Sequence, residues 1–343
     1  MSGAGHGRLP LSAFLLMGLI AILTSCRSPA WSAAEGVLKS ERKVKLTGKE
    51  VAVDFYLPAG LKKAPVVVVA HGFSRSRLNM AGWGSLLASN GFIVAVPDLP
   101  AWADHDRNSQ AIRELLDRIN SKTLITEPEP SGAGALMGFS MGGLCTLLAA
   151  STNGQVRCWV GLDPVDAGHK GAEVAKGLHI PCAVLQAEPS RCNANGNAKQ
   201  IVAGLSGPLF TLRVRNATHT DPEQPTDWLA EVLCGNADPK RHAIFERYAL
   251  AVLKTVFFGD APSFATLAAA TNDAGVKDLS TRTLRDFNRS AASSPRRSSS
   301  ALTNHLRQSS VKKDVRDLTP SAAPADRSSA ATPPVPGATL GRC

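Results

Sequence analysis

Six short apolar runs between residues 66 and 214 restrict what this chain can fold into more than any other feature. They are Val66–Ala70, Phe92–Val96, Gly134–Phe139, Cys158–Leu162, Cys182–Leu185 and Leu209–Val214. Val66-Val67-Val68-Val69-Ala70 has no polar residue at either alternating phase, so it reads as a strand buried on both faces. A strand of that kind needs helices above and below it. Amphipathic stretches such as Asn108–Ile119 and Gly142–Ala150 lie between the runs and supply them. The alternation predicts an α/β fold, a mostly parallel central sheet with helices on both faces. Val37–Leu46 and Lys49–Leu57 read as antiparallel leading strands. No internal repeat is evident, and one domain over residues 35–271 accounts for the whole pattern.

The flanks differ in kind. Residues 1–34 read as a signal peptide: Arg8 precedes a run from Leu11 to Leu23 that is apolar except for Ser12. That run is too short to span a bilayer permanently and has the length of a secretory apolar region. Leu23-Thr24-Ser25-Cys26 resembles a bacterial lipobox, which would leave a lipidated Cys26 as a membrane anchor. Ser32-Ala33-Ala34 offers ordinary signal-peptidase cleavage instead. Export is expected by either route, as a secreted protein or a cell-envelope lipoprotein. Residues 272–343, rich in Ser, Ala, Pro and Arg, are too poor in apolar residues to offset the entropy of ordering and read as a disordered tail.

Charge supports this division. The chain carries a formal net charge of +10, which by itself suggests a polyanionic partner. Between Glu35 and Ala270, however, 24 basic side chains face 22 acidic ones, whereas residues 271–343 carry 12 against 6. The basicity belongs to the tail, and no nucleic-acid partner is expected for the domain. Of the seven cysteines, Cys145, Cys158 and Cys182 sit in apolar helix or strand contexts. Cys192 and Cys234 lie in or beside polar loops and are the pair expected to bridge in an oxidising compartment. No CxxC or Cys/His cluster has metal-ligand spacing, so neither a metal nor another cofactor is expected.

The chemistry concentrates at Gly138-Phe139-Ser140-Met141-Gly142-Gly143, between an expected strand and an expected helix. A serine in that context sits on a tight strand-to-helix turn, with its hydroxyl lifted above the sheet at a helix N-terminus. His71-Gly72-Phe73 ends the earlier strand, where the Phe73 amide, with that of Met141, is placed to hold a developing oxyanion. His71 precedes the serine and reads as a strand-end hydrogen-bonding residue. Among later histidines, His219 lies in the polar loop after Leu209–Val214, where a base is presented; His179 and His242 read as structural. The acid is Asp163, ending one strand, or Glu188, ending the next, with Asp166 a third option; spacing does not choose among them.

Taken together, HGF, GFSMGG, LDPVDAG and a late THTD resemble the chlorophyllase and dienelactone-hydrolase-like branch of the α/β-hydrolases. They are also similar to cutinase-type polyester hydrolases. The resemblance covers roughly residues 38–258, with four motifs in the expected order. It implies an α/β-hydrolase fold and an ester-cleaving serine enzyme, and the chlorophyllase-type DPV motif implies Asp163 as the acid. In polyester hydrolases the acid follows the next strand, near Glu188. The elbow departs from the H-S-R-G-G of plant chlorophyllases at Phe139 and Met141, which weighs against chlorophyll as substrate. No tryptophan stands near the DPV position, which leaves a polymer-binding aromatic clamp without support. Trp83 and Trp159 read as packing residues.

The expectation is therefore an exported, monomeric serine carboxylic-ester hydrolase. Ser140 is the nucleophile, His219 the base and Asp163 the acid, with Glu188 as the alternative acid. Phe73 and Met141 form the oxyanion hole, and the substrate is a small-molecule or lipid-like ester. Chlorophyllase-like or polyester-hydrolase activity is the alternative, and a non-catalytic envelope binding lipoprotein is the rival from another class.

Overall fold

Strand β3 shows why the sheet is buried twice over. In a computed structural model that describes residues 36–287, β3 (Lys63–Ala70) is buried from Ala64 onward. Successive side chains point to opposite faces, and its valines divide accordingly. Val67 and Val69 enter one core with Trp83 and Val252. Val66 and Val68 enter the other with Ile112 and Leu147.

The strands are β1 (Val37–Leu46), β2 (Lys49–Pro58), β3, β4 (Ile93–Pro97), β5 (Glu129–Phe139), β6 (Val156–Leu162), β7 (Cys182–Gln186), β8 (Leu209–Val214) and β9 (Val276–Arg282). They form one nine-stranded sheet in the order β1-β2-β4-β3-β5-β6-β7-β8-β9. Neighbours from β4 to β8 pair in parallel. β1, β2 and β9 add antiparallel edges. The helices are α1 (Ala81–Ser89), α2 (His105–Asn120), α3 (Met141–Ala150), α4 (Lys170–Ala175), α5 (Ala198–Gly204), α6 (Trp228–Cys234), α7 (Pro239–Phe258) and α8 (Ala261–Ala268). This is the expected α/β-hydrolase architecture, with α1 and α7 on one face and α2 and α3 on the other. Trp83 and Trp159 are packing residues, both fully buried. Their indoles donate to the Pro222 carbonyl at 2.7 Å and to Thr146 Oγ1 at 3.1 Å.

Helix α2 illustrates the local logic. Asp104 caps it by accepting from the Arg107 amide at 3.0 Å. Ala111, Ile112, Leu115, Leu116 and Ile119 recur at helical spacing and are buried, while the polar positions between them face outward.

The domain extends past residue 271, where the sequence reading placed the start of a disordered tail. β9 pairs antiparallel with β8, Val214 opposite Val276, and Phe287 is fully buried in the core. Arg213 on β8 pairs with Asp278 at 2.9 Å. A cut at 271 would remove this strand and its ion pairs. The proposed signal region, Cys26 and the remainder of the tail lie outside the described residues.

The geometry of the sheet gathers function at one edge. Each parallel strand delivers its following loop to the same carboxyl end, which is where ligands bind in open α/β sheets. β3 leads to His71–Phe73, β5 to Ser140, β6 to Asp163 and β8 to the loop bearing His219.

Candidate active site

Ser140 sits between the last residue of β5 and the first of α3 with φ 53° and ψ −120°. A non-glycine residue is strained at that φ, and the surroundings hold it there. Its amide donates to the Leu162 carbonyl at 3.1 Å, and its carbonyl accepts from Gly143 at 3.0 Å and Val165 at 3.1 Å. Such a turn brings backbones close together. A Cβ at Gly142 would overlap the carbonyl oxygens of Ala70 and His71, and one at Gly72 would stand 3.2 Å from the Ser140 Cβ. Glycine at these two positions lets β3 and the elbow share one space. Met141 opens α3, so its N–H has no acceptor within the helix.

Three side chains form a continuous relay. His219 Nε2 lies 3.0 Å from Ser140 Oγ, and His219 Nδ1 lies 2.6 Å from Asp163 Oδ2. All three are at least nine-tenths buried. Asp163 has φ 42°, and its other partners fix the carboxylate: Oδ1 accepts from the Ala187 amide at 3.0 Å, and Oδ2 accepts from Asn193 Nδ2 at 3.0 Å. With the carboxylate as acceptor, Nδ1 is the protonated ring nitrogen and Nε2 presents a lone pair to the serine hydroxyl.

Glu188 is brought elsewhere. Its Oε1 accepts from the Asn216 amide at 3.0 Å and pairs with Lys277 on β9 at 2.7 Å. Partial burial works to raise its carboxyl, but the Lys277 ammonium and the Asn216 N–H outweigh it, leaving Glu188 below the usual carboxylate range. Asp166 closes its own loop, accepting from Gly171 at 2.7 Å and Ala172 at 3.0 Å. His71 joins two loops: Nδ1 donates to the Gly72 carbonyl at 2.8 Å, and Nε2 accepts from Leu99 at 3.0 Å. Burial lowers its pKa, in keeping with a neutral ring used on both sides. His242, in α7, meets the Asp221 carbonyl at 2.6 Å and so braces the loop that carries His219.

Four residues of the site were not found from sequence. Asn193 is buried and supports Asp163 from a loop anchored by the disulfide between Cys192 and Cys234. That disulfide is the one the cysteine contexts pointed to. Arg75 grips Glu223 with two bonds of 2.6 and 2.7 Å and Asp227 with a third of 2.6 Å. It thereby ties the loop of Phe73 to the loop of His219. Burial raises the Glu223 carboxyl despite this arginine. Trp102, in the loop after β4, packs against Phe73 with ring centroids 4.5 Å apart. His105, at the start of α2, lines a cavity of about 270 Å³ beside Ser140, together with Phe73, Met141, Val165 and Cys192. Burial, and then the Lys170 charge, lowers the His105 pKa. Among the described residues, no group of three or more His, Cys, Asp or Glu is arranged to hold a metal ion.

Arrangements of this kind can perform nucleophilic acyl transfer: an activated hydroxyl, an oriented imidazole and amides at a helix start. Comparison with known proteins points the same way. Residues 38–201 match the family model for PET hydrolase-like proteins. That span holds Phe73, Ser140, Met141 and Asp163 and ends before His219. A Bis(hydroxyethyl) terephthalate hydrolase from Streptomyces coelicolor (strain ATCC BAA-471 / A3(2) / M145) is 28% identical over 176 residues, which cover 48% of this chain and 53% of that protein. The chain thus spans about half the length of the curated relative it matches. Both similarities fall on the polyester-hydrolase side of the sequence resemblance.

Proposed function

We propose that this chain, a polyester hydrolase-like α/β-hydrolase, is a serine carboxylic-ester hydrolase. Ser140 Oγ attacks the ester carbonyl as His219 Nε2 accepts its proton. Asp163 keeps the imidazole in the required tautomer and stabilises its cationic form. The amides of Phe73 and Met141 hold the tetrahedral oxyanion. His219 then returns the proton to the departing alcohol. A water deprotonated by His219 attacks the acyl-enzyme, and the acid leaves as Ser140 is regenerated.

The observation that carries this reading is the unbroken relay from Ser140 through His219 to Asp163, with bonds of 3.0 and 2.6 Å beside a cavity. Turnover of p-nitrophenyl acetate and butyrate by wild type and Ser140→Ala tests it. The reading expects a loss of at least about a thousandfold; an alanine variant that keeps wild-type turnover would overturn it.

A narrower reading, aromatic esters or polyesters, is favoured by Phe73, which lines the cavity beside Ser140 and packs against Trp102. Turnover of bis(hydroxyethyl) terephthalate by wild type and Trp102→Ala tests that choice. We further propose that the enzyme is exported as a monomer, with residues 1–34 as its signal. Mass spectrometry of the mature N-terminus distinguishes lipidated Cys26 from cleavage after Ala34.

A further inference from the structure

The walls of the cavity beside Ser140 are apolar with one exception. Phe73, Ala103, Met141, Val165 and Ala167 line it, and Cys192 is held in its disulfide. Apart from Ser140 itself, His105 is the lining residue with a hydrogen-bonding side chain.

His105 also differs from the other described histidines. His71, His169, His179, His219 and His242 each have a ring nitrogen hydrogen-bonded to another residue. The half-buried ring of His105 has no such bond among the described residues. A ligand that fills the cavity strips water from this ring and must replace the hydrogen bonds that the water made. The first turn of α2 keeps the residue in place. Asp104 caps that turn, and Asn108, fully buried, exchanges two bonds with Ala101 at 2.9 and 2.8 Å.

The kind of partner follows from charge. Burial, and then Lys170, holds the ring below the usual histidine value, so near neutral pH it is an uncharged imidazole with one N–H to donate. Lys170 acts on it against Asp104 and Asp106. These charges leave no positive excess for a carboxylate, and an uncharged oxygen is the acceptor that fits.

The part of the substrate follows from the direction of reaction. In the tetrahedral intermediate the oxyanion faces the amides of Phe73 and Met141, and the departing alcohol faces His219, which returns its proton. Phe73 and Met141 line the cavity and His219 does not. The cavity therefore receives the remaining substituent, the acyl arm. Its volume of about 270 Å³ lies below the roughly 300–1,000 Å³ of pockets that enclose whole drug-sized ligands, which limits that arm to a short chain.

We propose that His105 is a specificity-determining residue whose ring N–H donates to an ether or carbonyl oxygen on a short acyl arm, selecting oxygenated acyl esters over their hydrocarbon counterparts. The proposal rests on the ester-hydrolase reading above.

The test compares kcat/KM of the full chain, His105→Leu and His105→Gln on two pairs of p-nitrophenyl esters: methoxyacetate against butyrate, and β-methoxypropanoate against pentanoate. Within each pair an oxygen replaces a CH₂ group, and comparison with wild type cancels the intrinsic reactivity of the alkoxy ester. In at least one pair the oxygen-to-carbon preference is expected to fall by about threefold to tenfold in His105→Leu. In His105→Gln, whose amide still donates, it is expected to stay within about twofold of wild type. A binding readout needs no turnover: in Ser140→Ala, the ethyl ester of a methoxy acid is expected to shift the His105 ring-nitrogen resonance more than its hydrocarbon counterpart does.

If wild type cleaves none of these esters while that shift is seen, the ester-hydrolase reading fails and the His105 anchor stands. Preferences left unchanged by His105→Leu in both pairs, with equal resonance shifts, would overturn the proposal and leave the hydrolase reading intact. Equal losses of preference in His105→Leu and His105→Gln would also overturn it, because the shape of the side chain and not its hydrogen bond would then set the selectivity.

Discussion

Arg75 fastens the loop of Phe73 to the loop of His219, and replacing it by Met isolates that connection. Its guanidinium is 15% exposed and the Glu223 carboxylate 1%. Removing one partner of a buried pair costs about 3–5 kcal/mol, because the other charge is stranded. Glu223 keeps one charge-accepting bond, from Thr226 Oγ1 at 2.9 Å, so the lower end, about 3 kcal/mol, is expected. The cost depends on pH. Burial already raises the Glu223 pKa, and loss of Arg75 raises it further. A raised carboxyl binds more protons when folded than when unfolded. Arg75→Met stability is therefore greatest below the unfolded carboxylate value and falls as pH rises through the folded one.

The catalytic effect follows from geometry. With its tie cut, the Phe73 amide, the proposed oxyanion donor, is held less firmly, and complete loss of one such donor costs about a hundredfold to a thousandfold. Other links remain between these segments: the Gly82 amide to the Gln224 carbonyl at 2.8 Å and Gln224 to Asn79 at 2.8 Å. A kcat loss of about tenfold to a hundredfold with a smaller change in KM is expected. Chemical denaturation at pH 5 and pH 8, with p-nitrophenyl butyrate kinetics at both, measures each part. An Arg75→Met enzyme with unchanged kcat and a stability loss independent of pH would refute the reasoning.

The acid assignment separates cleanly: Asp163→Asn is expected to lower kcat by about ten-thousandfold, since the amide favours the wrong imidazole tautomer, whereas Glu188→Gln should stay within about twofold. Steady-state kinetics on one soluble ester decides between them. Asn193→Ala removes a bond to the Asp163 carboxylate worth about 2 kcal/mol, and a kcat about thirtyfold lower, with a retained fold by circular dichroism, is the expected outcome. Replacing Cys192 and Cys234 by Ser opens a link between residues 42 apart, which constrains the unfolded chain by about 4 kcal/mol. A fall in Tm that reduction of wild type reproduces checks this.

The parallel strands were legible because burial on both faces demands unbroken apolar runs, as in Val66–Ala70. The elbow was legible because its glycines are required by the backbone contacts around Gly142. β9 was not, because an edge strand needs only one apolar side: Val276-Lys277-Asp278-Leu279-Ser280-Thr281-Arg282 buries Val276 alone. Its place depends on partners far away in the chain, Lys277 with Glu188 and Asp278 with Arg213. Asn193 and Arg75 gave no local signal for the same reason, since each matters through a residue at least 30 positions distant. Trp102 gave no local signal either. Trp102 reaches Phe73 from the segment after β4, a neighbour created by the crossover that sets β4 beside β3. Of the two carboxylates, it is Asp163 that stands 2.6 Å from His219 Nδ1, a contact no spacing argument supplies.

The central claim is that Ser140 is a nucleophile activated by His219. Reaction with a fluorophosphonate followed by peptide mass spectrometry tests it most directly. The account predicts a single adduct on the peptide containing Ser140, its rate of formation falling by orders of magnitude in His219→Ala and the adduct absent in Ser140→Ala. An adduct on a different residue, or equal labelling with and without His219, would contradict it.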